Sequence, residues 1–303
     1  MKTLVTVLFL LLFLITDSFS QPWKRKRKEV IYSLGATNFL GDLGGLNRTA
    51  SPFVLDLEPV MTRPAVGFGY RYTLNPYSKV RGSVIWGILK GDDQLTAEPF
   101  RNNRNLHFRS HIVEISGVYE MYFNQEQSGN RYNIKGARGM RAKNTTYYGF
   151  IGFGAFYFNP KAVYNGSWVA LQPLGTEGQG QPGGKPKYSR INVAIPMGLG
   201  ARYAIDRYWK IGLEIGYRKT FTDYMDDVGG NYYDNKKLRD LKGDKAADLA
   251  DPNLGKFPYQ YDENGKTHPS NQRGDIKGRN DAYLFAMFSL NYTLQKRSSR
   301  AKF

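Results

Sequence analysis

The sequence predicts an all-β fold: an eight-stranded antiparallel transmembrane β-barrel of the outer membrane, with long extracellular loops. Three observations predict it. Apolar residues alternate with a period of two through eight segments of about ten residues or more, the length a tilted strand needs to cross a bilayer. The connections between those segments are mostly short on one side and long on the other, and the chain opens with an export signal.

That signal has three parts. Lys2 precedes an apolar run from Leu4 to Ile15, and Ser18 and Ser20 stand at the −3 and −1 positions before Gln21. The run is shorter than the ~20 residues a membrane-spanning helix needs, so a cleaved leader is expected rather than an anchor. The expected organisation is a signal peptide at 1–20, a basic periplasmic segment at 21–28, a barrel at 29–294 and a basic periplasmic tail at 295–303.

Within the barrel the alternation is plainest at 66–74. Val66, Phe68, Tyr70, Tyr72 and Leu74 share one face, with Gly67, Gly69, Arg71 and Thr73 between them. From 110 to 124 the apolar face carries Val113, Ile115, Tyr119, Met121 and Phe123, and the opposite face Glu114, Ser116, Val118 and Glu120. The stretches 191–203, 211–218 and 282–294 repeat the pattern, and 29–38, 78–89 and 146–158 fit it more loosely. A strand with large apolar groups on one side and small or charged groups on the other separates two different environments.

A soluble sandwich or lipocalin-like barrel would give the same period. Its wet face, however, would be dense in Lys, Glu, Asp and Thr, whereas here the less apolar face is mostly Gly, Ser and Ala with isolated charges. That composition suits the narrow lumen of an eight-stranded barrel, which has room only for side chains. Arg71, Arg81, Arg202 and Arg218 are expected to pair there with Glu114, Glu120 and Glu214, because an unpaired buried charge is too costly to keep. Connections at 75–77, 124–145 and 206–208 fall on the periplasmic side, and those at 39–57, 90–105, 160–188 and 223–279 on the outer side.

Composition excludes other classes. The 303 residues contain no Cys, which removes disulfides, thiolate metal sites, a Cys nucleophile and N-terminal lipidation at Cys. With one long apolar run the chain is not a polytopic helical membrane protein, and its 15% aromatic content argues against disorder.

Chemistry is sparse. The sequence has no Gly-x-Ser-x-Gly elbow, P-loop or HExxH, and its three histidines, His107, His111 and His268, have no metal-ligand spacing. The best catalytic grouping is Asp226 and Asp227 with His268, as in a hydrolase at a barrel rim, but these acids serve equally as partners of neighbouring Lys and Arg. Asp223, Asp226 and Asp227 lack the glycine-turn spacing of a calcium loop. The expectation is therefore no enzyme activity, no cofactor and no metal. Arg273-Gly274-Asp275 matches an adhesion tripeptide by chance, and the glycines of 149–156 serve lumen filling or close strand approach.

Several stretches, taken in order, carry a resemblance: GATNFLGDLGG from Gly35, AVGFGYRYTLNP from Ala65, KGDD from Lys90, FYFNPKA from Phe156, LQPLGTEGQG from Leu171, IPMGLGARY from Ile195 and RKTFTDYMDDV from Arg218. The chain resembles the family of small outer-membrane barrels to which the PorG subunit of the type IX secretion system belongs, over essentially the whole mature length. The resemblance implies an outer-membrane component of a protein-export machine, associated with a periplasmic ring that includes a lipoprotein. It does not imply that the barrel is the conduit. A porin or purely structural barrel is the alternative. The Lys- and Asp-rich segment around 235–277 and the basic tail depart from the family pattern.

The formal charge of +17 is unevenly placed. Lys24, Arg25, Lys26, Arg27 and Lys28 form one basic run; Arg131, Lys135, Arg138, Arg141 and Lys143 face only Glu126 in the long inner turn; Lys296, Arg297, Arg300 and Lys302 end the chain. The outer loops are together near neutral. This one-sided basicity predicts a periplasmic surface that docks an acidic protein partner, while the body of the barrel meets outer-membrane lipid. Export removes nucleic acid as a partner.

Overall fold

A computed structural model of the chain describes residues 27–43, 61–124, 145–206, 208–269, 271–274 and 280–294. The signal segment 1–20, most of 21–28, the interior of the inner turn and the tail 295–303 lie outside the described residues.

Nine strands form: β1 (Lys28–Leu40), β2 (Arg63–Asn75), β3 (Ser78–Asp92), β4 (His107–Tyr122), β5 (Thr145–Tyr164), β6 (Ser167–Ala170), β7 (Ile191–Ala204), β8 (Trp209–Thr220) and β9 (Ala282–Leu294). All pairings are antiparallel. β1 pairs with both β2 and β9, with Lys28 opposite Tyr72 on one side and Leu294 on the other, so the sheet closes on itself. β4 pairs with β5, and β5 with β7, which leaves β6 as a short extension on the outer end of β5. The wall therefore has eight strands, as the alternation predicts. Closure removes the edges that an open sheet would expose in a membrane.

The two faces follow the period of two. Outward residues are large and bare: Phe153 is 78% exposed, Ile115 63% and Leu34 63%. Inward neighbours such as Glu120, Arg202 and Phe156 are buried. Tyr77, Phe123, Tyr147, Tyr203, Trp209 and Tyr292 project outward around the short-turn rim, and Trp86, Tyr157 and Trp168 nearer the other end. An apolar band flanked by aromatic girdles is the exterior that a bilayer core and its two interfaces require. Among the described residues no helix is long and apolar enough to cross a membrane.

Turn chemistry explains the short side. Asn75 Oδ1 accepts from Tyr77 N (2.9 Å) between β2 and β3, and Asp206 Oδ1 accepts from Tyr208 N (2.6 Å) and Trp209 N (2.7 Å) between β7 and β8. Short polar side chains that bind backbone N–H two or three residues on fix such turns. β5 continues past its expected end near 158 to Tyr164 and reverses through Asn165 and Gly166, both at positive φ (48° and 77°), the pair of left-handed residues that a tight hairpin needs.

The described parts of the long connections are folded, where the sequence suggests loops. The 90–105 segment contains α1 (Pro99–Arg104), whose start is fixed by Glu98 accepting from the N–H groups of Phe100 and Arg101. The 223–279 segment contains α2 (Asn235–Lys242) and α3 (Asp244–Ala250), separated by Gly243 at φ 82°. Leu43, Leu106, Leu171, Met225, Val228 and Leu249 from these connections pack on Phe39, Phe108, Phe158, Tyr283 and Phe285 of the barrel. The cap and the outer half of the lumen thus share one apolar core.

Candidate functional site

The inner half of the lumen is an ion network to which all eight wall strands contribute. At its centre is Glu29 of β1. Its Oε2 lies 2.6 Å from Arg202 Nη2 and 3.0 Å from Arg71 Nη1, and its Oε1 lies 2.7 Å from Lys210 Nζ and 3.8 Å from Lys79 Nζ. Arg71 reaches Glu120 through Nε (2.7 Å) and donates from Nη1 to Asn291 Oδ1 (2.8 Å). Arg81 bridges Glu120 (2.9 Å) and Glu214 (2.8 Å). Tyr122 and Tyr148, stacked 5.1 Å apart, donate their hydroxyls to Glu120 and Glu214, both at 2.8 Å. These groups are shielded from solvent, and Glu29 and Glu120 each meet at least two cations, the condition under which buried charge is tolerated.

Above this tier Arg218 Nε donates to Glu114 Oε2 (3.2 Å), which also accepts from Tyr283 OH (2.9 Å), and the Arg218 guanidinium lies 4.6 Å from the centre of the Phe285 ring. The structure thus brings Arg71, Arg81, Glu120, Arg202 and Glu214 into one cluster and sets Arg218 and Glu114 apart as a second pair. Sequence reasoning missed Glu29, Lys79 and Lys210. Their one available signal was an inward position in the alternation.

The outer mouth is closed by loops held on Arg273. Its Nη1 donates to Glu177 Oε1 (3.1 Å) and to the Asp227 carbonyl (2.7 Å), and its Nε to the Ala250 carbonyl (3.1 Å). One guanidinium therefore joins three segments of the cap. It is 2% exposed, so the first residue of the Arg273-Gly274-Asp275 tripeptide is buried, and Asp275 lies outside the described residues. Asp227 accepts hydrogen bonds from Tyr188 OH (2.6 Å) and Thr176 Oγ1, and burial pushes its carboxyl up to about 6 although Arg273 opposes this. Asp226 accepts from Leu43 N (3.2 Å) and Val228 N (3.0 Å), and Asp281 accepts from Met225 N (2.8 Å). Burial raises both of these carboxyls well above the usual range.

Asp226, Asp227 and His268 do not form a catalytic grouping. The two acids are buried and serve as acceptors for cap hydrogen bonds, while His268 is exposed on a turn within electrostatic reach of Asp262. Among the described residues no group of three or more His, Asp or Glu side chains is placed to hold a metal ion.

Of the basic residues read as partner-binding, Arg27 and Lys28 are described. Lys28 is exposed at the start of β1, and Arg27 Nη1 donates to Tyr72 OH (3.0 Å). Lys24, Arg25, Lys26, Arg131, Lys135, Arg138, Arg141, Lys143, Lys296, Arg297 and Arg300 lie outside the described residues.

No protein-family model matches the chain, and no curated protein matches it. Solved structures similar to it include the attachment invasion locus protein Ail of Yersinia pestis, at 10% identity and TM-score 0.34 over 89% of this chain and 99% of that one. Neisserial surface protein A matches at 7% identity and TM-score 0.36 over 88% and 97%. The outer membrane protein OprG of Pseudomonas aeruginosa matches at 9% identity and TM-score 0.36 over 90% and 98%. These figures transfer no ligand, partner or activity. Strand closure, face alternation and the aromatic girdles make the chain an eight-stranded antiparallel β-barrel of the outer-membrane type.

Proposed function

We propose that the chain is a non-enzymatic barrel subunit of the type IX protein secretion machinery, which anchors a periplasmic ring that includes a lipoprotein through the basic face at its short-turn rim. One observation carries the reading. The first residue of β1, the facing ends of β4 and β5, and the last residue of β9 all lie at the same rim. The three basic segments of the sequence, 24–28, 124–145 and 295–303, therefore attach to one end of the barrel. Convergent charge of one sign favours a partner of the opposite sign and speeds its approach.

The ordered resemblance from Gly35 to Val228 is what points to this machine. The filled lumen fits the same role, since a barrel packed with ion pairs serves as an anchor rather than as a conduit.

The test reverses charge at Arg131, Lys135, Arg138 and Arg141, each to Glu, and recovers the barrel from outer membranes in mild detergent. The expected result is loss of co-purifying periplasmic protein, with insertion and heat-modifiable gel migration retained. Undiminished co-purification would remove the docking face. Normal cargo secretion in a deletion strain would remove the secretion role and leave a purely structural barrel.

A further inference from the structure

The cap carries a second feature, open to solvent, that neither the lumen network nor the basic rim uses. Between the end of β1, α1 and the 260–274 segment lies a cavity of about 560 Å³. That volume falls in the range of small-ligand pockets, ~300–1,000 Å³. It sits at the long-loop end, away from the basic rim.

Its lining combines three kinds of group. Phe100, 55% exposed, presents a ring backed by Phe257 in a stack 5.0 Å between centroids. Gln260 and Gln272 line another part, and their side-chain amides make no hydrogen bond among the described residues. Three arginines face one aspartate in the lining. Two of the three are engaged by acids: Arg104 binds Asp93 at 2.7 Å, and Arg273 binds Glu177 at 3.1 Å. They hold the walls. Arg101 differs, because among the described residues its guanidinium makes a single hydrogen bond, from Nη2 to the Asp42 carbonyl (3.0 Å). Among the described residues Nε and Nη1 are left for a ligand.

A guanidinium offers paired donors that match a carboxylate or phosphate. A backed aromatic ring offers a flat apolar surface to the C–H face of a pyranose. Side-chain amides both donate to and accept from hydroxyl groups. The described lining has neither the strand edge that pairs an extended peptide nor the apolar groove that seats a helix, and its exposed aromatic ring favours a sugar over an acidic peptide. We propose that this outer cavity binds an acidic saccharide, a sugar unit that carries a carboxylate or phosphate, with Arg101 on the acid group and Phe100 under the ring. The acid-bearing sugar could belong to a surface glycolipid or to a soluble polysaccharide.

The test is calorimetric titration of the full mature barrel in detergent micelles with tri-galacturonate, neutral maltotriose and penta-aspartate. Tri-galacturonate should bind, and maltotriose and penta-aspartate should each bind about tenfold more weakly or worse. Arg101→Ala should weaken tri-galacturonate binding by about tenfold, the loss of one charge-assisted contact. Phe100→Ala, at a half-exposed ring, should weaken all saccharide binding, and heat-modifiable gel migration checks that both variants are folded. Equal affinity for the neutral sugar, comparable affinity for the acidic peptide, absence of binding, or a folded Arg101→Ala protein with unchanged affinity would each overturn the proposal. Repeating the titration in vesicles with intact or dephosphorylated lipopolysaccharide assigns the source. Competition by the intact form alone supports the site with a glycolipid ligand, and lack of competition supports it with a soluble one.

Discussion

The Arg202 guanidinium lies 2.6 Å from the Glu29 carboxylate, joining β7 to β1 across the lumen although β8 and β9 stand between them in the wall. The same carboxylate also holds Arg71 and Lys210. Its removal leaves several buried cations without their shared partner, and breaking such a group costs roughly 3–5 kcal/mol. Glu29→Ala is expected to lower stability by that amount in urea unfolding from lipid vesicles. Replacing both Glu29 and Arg202 by Met should cost less than the sum of the two single changes, because the second removes a charge the first stranded. Additive costs would show that the pair is not coupled.

A lumen filled in two tiers should not conduct. The inner tier is the ion network, and the outer is the apolar core that Met225 and Leu249 complete from the cap. In planar bilayers the purified protein is expected to give no stable channel at either polarity. Discrete, long-lived openings would contradict a packed lumen.

Glycines in the wall separate into two kinds with opposite expectations. A Cβ on Gly152 would stand 2.1 Å from the Gly117 carbonyl oxygen and 2.7 Å from Val118 Cα, both backbone atoms that cannot yield without spreading β4 from β5. A Cβ on Gly117 or Gly82 would meet nothing within 4 Å. Gly152→Ala should therefore impair folding into lipid vesicles, while Gly117→Ala should fold as the parent does. Equal yields for the two would show that close approach is not what Gly152 provides.

The wall was legible in the sequence because the alternation reports a local constraint: each strand meets lipid on one side and a narrow lumen on the other. What escaped was whatever depends on register. Glu29 directly follows the 24–28 basic run at the start of a loosely alternating segment, and only its register opposite Arg71 across β1 and β2 makes it the centre of the lumen network. Lys79 and Lys210 sit one residue inside β3 and β8, beside the short turns, where the alternation alone does not tell a lumen residue from one at the rim. The cap was the least legible part. Arg273 and Glu177 are 96 residues apart, and no local pattern announces a contact of that range. Asp226 and Asp227 have the look of ligands or catalytic acids in the sequence, yet both are acceptors inside that cap.

The cap should tighten on mild acidification. Burial pushes the Asp227 carboxyl up to about 6 from a usual value of 3.8, and Asp226 and Asp281 move in the same direction beside Asp42 and Asp223. An acid whose folded value is raised binds its proton more tightly in the folded cap than in the opened one, so stability rises as pH falls through about 6 and levels off near 4. For Asp227 alone the change is roughly 3 kcal/mol, since each tenfold gain in proton affinity on folding is worth about 1.4 kcal/mol. Hydrogen exchange corrected for intrinsic rates should show the backbone of 222–230 better protected at about pH 5 than at about pH 7.5. Asp227→Asn removes the charge and keeps one acceptor oxygen, the amide NH2 standing where the other oxygen was so that one of the Thr176 and Tyr188 hydroxyls must turn to accept; it should raise protection at the higher pH and reduce the difference between the two conditions. Protection that instead rises with pH would mean that the attraction of Arg273 for an ionised Asp227 outweighs burial.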